Sequence, residues 1–149
     1  AARVQHLNQI IKPALEKGTI VLCDRFTDST IAYQGYGDGV DIETLKELND
    51  ISTGGLHPDN TFIFVLDPQI GLDRIQQNPD RECNRLDKKS LPFYERVARG
   101  FIEIARDNYR CITIDASRKP AVVIQEVYTL LIELIKEFNK EPEQIETLK

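Results

Sequence analysis

The chain has 149 residues, of which 41% are hydrophobic and 29% are charged, which is typical of one globular domain over residues 1–149 with an ordinary core. Its net charge of −5 argues against a nucleic-acid polymer or an anionic membrane as a partner, because both require a basic surface. Any phosphate would have to be bound by a few individually placed arginines. We therefore expect a small-molecule partner.

The three cysteines, Cys23, Cys83 and Cys111, show no CxxC spacing, and this favours free thiols in a reducing cytoplasm. No segment approaches the roughly 20 consecutive apolar residues of a membrane-spanning helix. The first residues, AARVQHLNQ, lack the apolar core of a signal peptide. A cytoplasmic location without membrane attachment is expected.

The first part of the chain predicts a helix, a buried strand and a second helix. Apolar residues at helical spacing indicate a helix over about residues 1–17, which Pro13 should kink or locally loosen. Residues 19–23 (TIVLC) are apolar and β-branched without alternation, as in a strand covered on both faces. A glycine-rich loop at 35–39 then leads to a helix that Asp41 can cap. The buried face of that helix is expected to carry Ile42, Leu45, Leu48 and Ile51.

The second part predicts two more strands, over residues 61–66 (TFIFVL) and 111–114 (CITI). Three helices are expected, from Pro68 to about Gln77, from Phe93 to about Asp107, and from about Pro120 to about Phe138. The polar segment 78–90 reads as a mobile loop, and residues 139–149 as a flexible tail.

Strands that alternate with helices imply parallel β/α units with right-handed crossovers. Ligands of such folds bind at the carboxyl ends of the strands. Asp24, Asp67 and Asp115 each follow a predicted strand, so we expect these three carboxylates to lie along that edge of the sheet.

Residues 24–39, DRFTDSTIAYQGYGDG, carry the strongest chemical pattern in the sequence. A carboxylate such as Asp24 at a strand end can hold Mg²⁺ through water, and the next arginine, Arg25, offers a planar fork of donors for phosphate oxygens. Polar and aromatic groups that could contact a nucleobase follow at Ser29, Thr30, Tyr33 and Gln34. The alternative is a surface Asp–Arg pair that opens a capped helix, with Tyr33 packed in the core.

The whole run resembles the signature of bacterial thymidylate kinases, in which a strand is followed by Asp-Arg-aromatic, a hydroxyl-rich turn, Ala-Tyr-Gln-Gly and a glycine-rich loop. The likeness extends from residue 1 to about residue 138, through AARVQ, IKPALEKG, GGLHPD, GLDRI and CITIDAS. It implies a P-loop NTPase-like α/β fold with a three-layer parallel sheet and helices on both faces. It also implies transfer of the γ-phosphate of ATP to dTMP, giving dTDP, with Mg²⁺ as cofactor. Related enzymes form homodimers, so we expect one here.

The resemblance assigns roles to individual residues on the acceptor side. Arg3 matches an arginine that hydrogen-bonds thymine, although an exposed helical arginine is the alternative. Arg25 matches the arginine on the dTMP phosphate, and Asp24 matches the carboxylate near Mg²⁺. The positions that line or approach the nucleoside are Ser29, Thr30, Tyr33 and Gln34.

On the donor side, segment 78–90 matches the lid that closes over ATP, and Arg85, before Arg81, is expected to neutralise the transferring phosphoryl group. A solvated charged loop is the alternative. Ser117 and Arg118 occupy the region that contacts adenine, where loop capping by Ser117 is equally plausible. Asp38 departs from the family pattern, in which an arginine often stands between two glycines.

The sequence contains no G-x-x-x-x-G-K-[ST] motif, which cradles the phosphates of ATP. We therefore expect an additional N-terminal segment that carries the first strand and the P-loop, and little activity from these 149 residues alone. Two other functions remain open. One is a deoxynucleoside kinase, which shares Asp-Arg after a strand, and the other is a non-catalytic nucleotide-binding module or inactive fragment.

Overall fold

The computed structural model describes residues 2–77, 86 and 89–140, with the side chains of Ala2 and Arg3 left outside the description. Two strands are described, β1 (Thr61–Val65) and β2 (Cys111–Asp115). The α-helices are α1 (Ala2–His6), α2 (Lys12–Glu16), α3 (Thr27–Thr30), α4 (Ile42–Thr53), α5 (Pro68–Gln76), α6 (Leu91–Asp107) and α7 (Pro120–Phe138). Two segments are π-helical, π1 (Leu7–Ile11) and π2 (Ile31–Gly37).

The predicted first helix is confirmed, and it is continuous through α1, π1 and α2. Its wide turn lies just before Pro13: the backbone N–H of Lys12 donates to the carbonyl of Leu7, five residues earlier. A proline inside a helix has no N–H to donate and crowds the preceding turn, so a locally widened turn is the loosening expected there. Leu7 and Ile11 are buried on this helix.

The two strands confirm the predicted parallel β/α arrangement. β1 and β2 pair in parallel, with Thr61 opposite Cys111 and Val65 opposite Asp115. Helices α5 and α6 lie between them in the sequence, as a parallel connection requires. Ile63 and Ile114 are the most buried residues of the sheet.

The predicted strand at residues 19–23 is wrong for the described structure. These residues have no regular secondary structure, and Ile20 and Leu22 are 58% and 75% exposed. A strand exists only where a neighbouring strand exchanges backbone hydrogen bonds with it. Among the described residues, β1 and β2 pair with each other alone, so the segment has no partner.

The prediction for α4 is half confirmed. Asp41 caps the helix by accepting a 2.8 Å hydrogen bond from the backbone N–H of Thr44. Of the predicted buried face, Leu45 is buried and Ile42 is half-buried against the core. Asn49 and Thr53, at i+4 and i+8 from Leu45, complete that face in place of Leu48 and Ile51. The two apolar residues on the other side of the helix are 55% (Leu48) and 79% (Ile51) exposed.

The core lies where π2, α4 and α6 pack over β1. Its buried members are Ile31, Ala32, Leu45, Ile63, Phe93, Val97 and Ile104. The glycine-rich segment predicted as a loop at 35–39 is helical through Gly37, and the chain leaves the helix at Asp38. Gly37 faces Phe93 and Val97 so closely that a Cβ atom would lie 2.6 and 2.8 Å from their side chains. This approach lets π2 sit directly on α6.

The remaining helices follow the prediction. Pro68 opens α5 behind Asp67, whose carboxylate accepts from the N–H of Gln69 at 2.8 Å. α6 and α7 begin within two residues of their expected starts. Among the described helices, none combines the length and the apolar character that crossing a bilayer requires.

Candidate functional site

Arg25 lies at the start of the segment that the sequence singled out, in a bend just before α3. Its φ is +62°, the one positive value at a non-glycine among the described residues, and such a conformation is disfavoured for a residue with a Cβ. Its guanidinium carbon lies 4.4 Å from the centroid of the Tyr33 ring, a cation–π distance. Asp24 and Arg25 are both exposed. The bend therefore presents an arginine to solvent and steadies it against an aromatic face.

Tyr33 packs against the core, which is the alternative given above for this residue, and it also contacts Arg25. Its contact with the nucleoside stays a prediction. One face receives Arg25, while the ring also packs against Phe101, with centroids 6.0 Å apart in an edge-on arrangement, and against Phe93 at 6.3 Å. The ring is half-buried and continuous with the core. Ser29 and Thr30 are also half-buried, whereas Gln34 is exposed. The structure thus brings Arg25 and Tyr33 together beside the segment that carries the other predicted nucleoside residues.

A partly buried ion pair holds this segment to the sheet. Asp28 receives two hydrogen bonds from the guanidinium of Arg110, at 2.7 and 2.9 Å, and the side chains are 14% and 16% exposed. The same carboxylate holds the pKa of Arg110 above its usual value. Sequence reasoning missed this pair because its partners are 82 positions apart and no local pattern links them.

Of the three aspartates predicted to share one edge, Asp67 and Asp115 do so, because Asp67 follows β1 and Asp115 ends β2 at the carboxyl ends of the paired strands. Asp24 follows residues 19–23, which form no strand, so the basis for placing it at that edge is absent. Asp67 caps α5. Asp115 accepts hydrogen bonds from the hydroxyl (2.6 Å) and then the N–H (2.9 Å) of Ser117, and these lower the pKa of Asp115. Asp28, four residues after Asp24, is bound at the opposite, amino ends of the strands. The described residues contain no cluster of three or more histidine, cysteine or acidic side chains suited to a metal ion.

Arg118 and Ser117 lie at the carboxyl ends of the strands but face different surroundings. Arg118 helps to line a cavity of about 520 Å³ together with Val65, Thr113, Ile114, Asp115 and Glu126. It also contacts the carboxylate of Glu126 and donates to the carbonyl of Asp115 at 3.1 Å. Ser117 donates both its N–H and its hydroxyl to the Asp115 carboxylate, so the acceptor that closes this turn is Asp115 and not Ser117.

Asp38, where the family often has an arginine, forms an ion pair with Lys89 at 2.6 Å. The ammonium group of Lys89 also lies 4.6 Å from the centroid of the Phe93 ring. One helical turn further, Arg96 donates to the carbonyl of Gly37 at 2.8 and 3.2 Å. These contacts join the end of π2 to the start of α6, and sequence reasoning identified neither Lys89 nor Arg96.

Three predicted site residues lie outside the description. The side chain of Arg3 and the whole of Arg81 and Arg85 belong to the part of the chain that the structure leaves undescribed. Their expected roles stay predictions.

Comparisons with a family model, with related proteins and with solved structures all find the same family. The family model for thymidylate kinase matches residues 1–127. A thymidylate kinase of Trichodesmium erythraeum is 44% identical over 139 residues, which cover 93% of this chain and 61% of the relative. One from Geobacillus sp. is 48% identical over 133 residues, covering 89% of this chain and 61% of the relative.

The solved structure of thymidylate kinase from Ehrlichia chaffeensis matches with a TM-score of 0.63 and 38% identity, over 87% of this chain and 58% of that one. The chain therefore has the P-loop NTPase-type α/β fold of that enzyme and spans about three fifths of the length of its relatives. Because the family model matches residues 1–127, well over half of the 149 residues, the chain belongs to the thymidylate kinase family.

Proposed function

We propose that the protein is a dTMP kinase and that this chain supplies the acceptor side of its active site. The reaction transfers the γ-phosphate of ATP to dTMP and gives dTDP. The observation that carries the proposal is the arrangement of Arg25 above the Tyr33 ring. It offers a cation for a phosphate group and an aromatic surface beside it, in a chain that belongs to the thymidylate kinase family.

Arg25 is suited to the dTMP phosphate because its charge is available. It is exposed, and no carboxylate of the described residues forms an ion pair with it and competes with a phosphate. Its fork of donors can hold two phosphate oxygens at once, which orients the acceptor for in-line attack. We assign Ser29, Thr30, Gln34 and Arg3 to the nucleoside.

One described residue, Asp24, is suited to hold the Mg²⁺ that accompanies ATP. A magnesium ion in such enzymes keeps several waters and needs only one or two carboxylates besides the substrate phosphates. Asp24 is exposed beside Arg25 and can accept hydrogen bonds from those waters. When bound, the ion neutralises charge on the phosphates of ATP. We assign the arginine that stabilises the transferring phosphoryl group to Arg85, or otherwise Arg81, and the adenine region to Arg118 and Ser117.

We further propose a cytoplasmic homodimer. Leu48 and Ile51 leave an apolar strip exposed on α4, and a second copy of the chain could cover it. The assembly would be measured by light scattering of the full-length protein, where a monomeric mass over the working concentration range contradicts the proposal.

A coupled assay on the full-length gene product tests the reaction. With ATP and Mg²⁺, we expect turnover of dTMP and none of thymidine, and turnover of thymidine alone would establish a deoxynucleoside kinase instead. Binding of dTMP without turnover would favour the non-catalytic module. Arg25→Gln should lower kcat/KM for dTMP by about 100-fold, since a donor aimed at the reacting group is lost. Arg106→Gln is the control, because Arg106 is exposed and hydrogen-bonds only its neighbour Asp107 among the described residues.

A further inference from the structure

Asp28 and Arg110 form the most buried ion pair in the described part of the chain. Both carboxylate oxygens are used, with distances of 2.7 and 2.9 Å to the two terminal nitrogens of the guanidinium. Thr61 joins the same group, since its hydroxyl oxygen accepts from Arg110 at 2.5 Å and lies 3.3 Å from the Asp28 carboxylate. In every other described ion pair, both side chains are at least 36% exposed. The Asp28–Arg110 pair is therefore the least exposed to solvent among them.

The pair connects the first turn of a helix to the sheet. Helix α3 is that turn, because the helix continues without a break through π2 to Gly37, and the carbonyl of Thr27 also accepts from Asn49 at 3.3 Å. The first turn of a helix has backbone N–H groups without partners in the helix and frays more easily than the rest, so tertiary contacts help to hold it in place. Thr61 is the first residue of β1 and Arg110 directly precedes β2, hence Asp28 is tied to the amino ends of both paired strands.

The neighbours of Asp28 in α3 are predicted substrate residues. Successive helical residues are rotated by about 100°, so Ser29 and Thr30 project to other sides than Asp28 does. Asp28 therefore binds to the sheet, while the side chains of Ser29 and Thr30 point in other directions. Arg25 lies three residues earlier and is carried by the same segment.

We propose that Asp28 and Arg110 are positioning residues for the acceptor site, which fix α3 on the sheet so that Arg25, Ser29 and Thr30 keep the arrangement that binds dTMP. The inference rests on the proposed dTMP kinase function. Without the ion pair this first turn of the helix frays, and the apparent affinity for dTMP is multiplied by the fraction of molecules that remain binding-competent. Once dTMP is bound the arrangement is restored, so kcat at saturation is retained.

The test compares Arg110→Met, Arg110→Lys and the exposed control Arg106→Met in the full-length protein, with thermal unfolding recorded for each. For Arg110→Met we expect the KM for dTMP to rise by about tenfold, as when one molecule in ten is competent. The KM for ATP and kcat should stay within about twofold of wild type, because the bound complex is the same. Arg110→Lys, which keeps the charge, should fall between wild type and Arg110→Met. Arg106→Met should match wild type.

A merely structural role gives a different pattern. It lowers the amount of active enzyme, and thus the apparent kcat, while the KM for dTMP stays the same, and that result overturns the inference. If Arg110→Met does not fold, a folded Arg110→Lys with unchanged KM for dTMP overturns it equally. If the wild type does not turn over dTMP, the proposed function fails, and the dissociation constant of dTMP from calorimetry replaces KM in the comparison. A wild type that does not bind dTMP refutes both ideas.

Discussion

Gly37→Ala tests whether the close approach of π2 to α6 is required. A Cβ at this position would lie 2.6 Å from Phe93 and 2.8 Å from Val97, about 0.8 and 0.6 Å inside the 3.4 Å at which ordinary contacts begin. Both neighbours are core residues, 3% and 4% exposed, with little room to move. Overpacking of this kind costs about 1–3 kcal/mol. The lower backbone entropy of alanine in the unfolded chain returns only about 0.4–1 kcal/mol.

Gly71→Ala is the matched control, because it lies in α5 and its Cβ would meet Leu66 at 3.6 Å, an ordinary contact. It should gain about 0.4–1 kcal/mol without a clash. The two variants should therefore differ by about 2 kcal/mol in unfolding free energy, or about 4–8 °C in Tm. Both are measured by thermal and urea unfolding of the full-length protein. A Gly37→Ala variant that melts at or above Gly71→Ala would refute the packing argument.

Two other predictions concern the acceptor segment and α4. Tyr33→Phe keeps the aromatic face under Arg25, so this variant should bind dTMP like wild type. Tyr33→Leu should weaken dTMP binding by about two- to fivefold in calorimetry, which corresponds to the loss of one exposed cation–π contact. An equal loss of affinity in both variants would contradict this. The backbone N–H of Thr44 and then its hydroxyl hold the pKa of Asp41 below its usual 3.8. Because the folded-state pKa is lowered, the stabilisation is complete above the unfolded pKa and is lost as pH falls through the folded value. The stability difference between wild type and Asp41→Ala in urea unfolding should shrink below pH 3.8, and a constant difference would argue against the cap.

The elements that the sequence predicts correctly are those whose signals are local. Strands β1 and β2 are apolar and β-branched, and α5 begins at Pro68 behind the capping carboxylate of Asp67. Such signals need no knowledge of the rest of the chain, since a cap or a proline acts on its own first turn. The same holds for Asp41 at the start of α4.

The errors arise where the outcome depends on distant residues. Residues 19–23 have the composition of a buried strand, yet composition indicates only a preference for burial and supplies no neighbouring strand. On α4, the apolar pattern placed Leu48 and Ile51 inside, whereas the chain buries Asn49, which donates to the carbonyl of Thr27 at 3.3 Å. A hydrogen bond to a partner 22 positions away satisfies that buried amide, and no periodicity could reveal it.

In the acceptor site, too, the sequence predicts the kinds of residue present but not the distant contacts that position them. Arg25 and Tyr33 were identified from residue types in one short motif, and their contact spans only eight positions. The residues that hold this motif in place lie far along the chain. Arg110 donates to the carboxylate of Asp28, and Arg96 donates to the carbonyl of Gly37.

Asp38 departs from the family pattern, and its effect also depends on a residue far along the chain. An acidic residue in place of an arginine adds negative charge to the segment that carries the proposed phosphate site. In the folded chain Lys89 lies 2.6 Å from it and supplies a compensating positive charge. Since the side chains are 44% and 36% exposed, this pair contributes little to stability, about 0–1 kcal/mol. Its effect is on local charge, because the ammonium group of Lys89 offsets the negative charge of the Asp38 carboxylate.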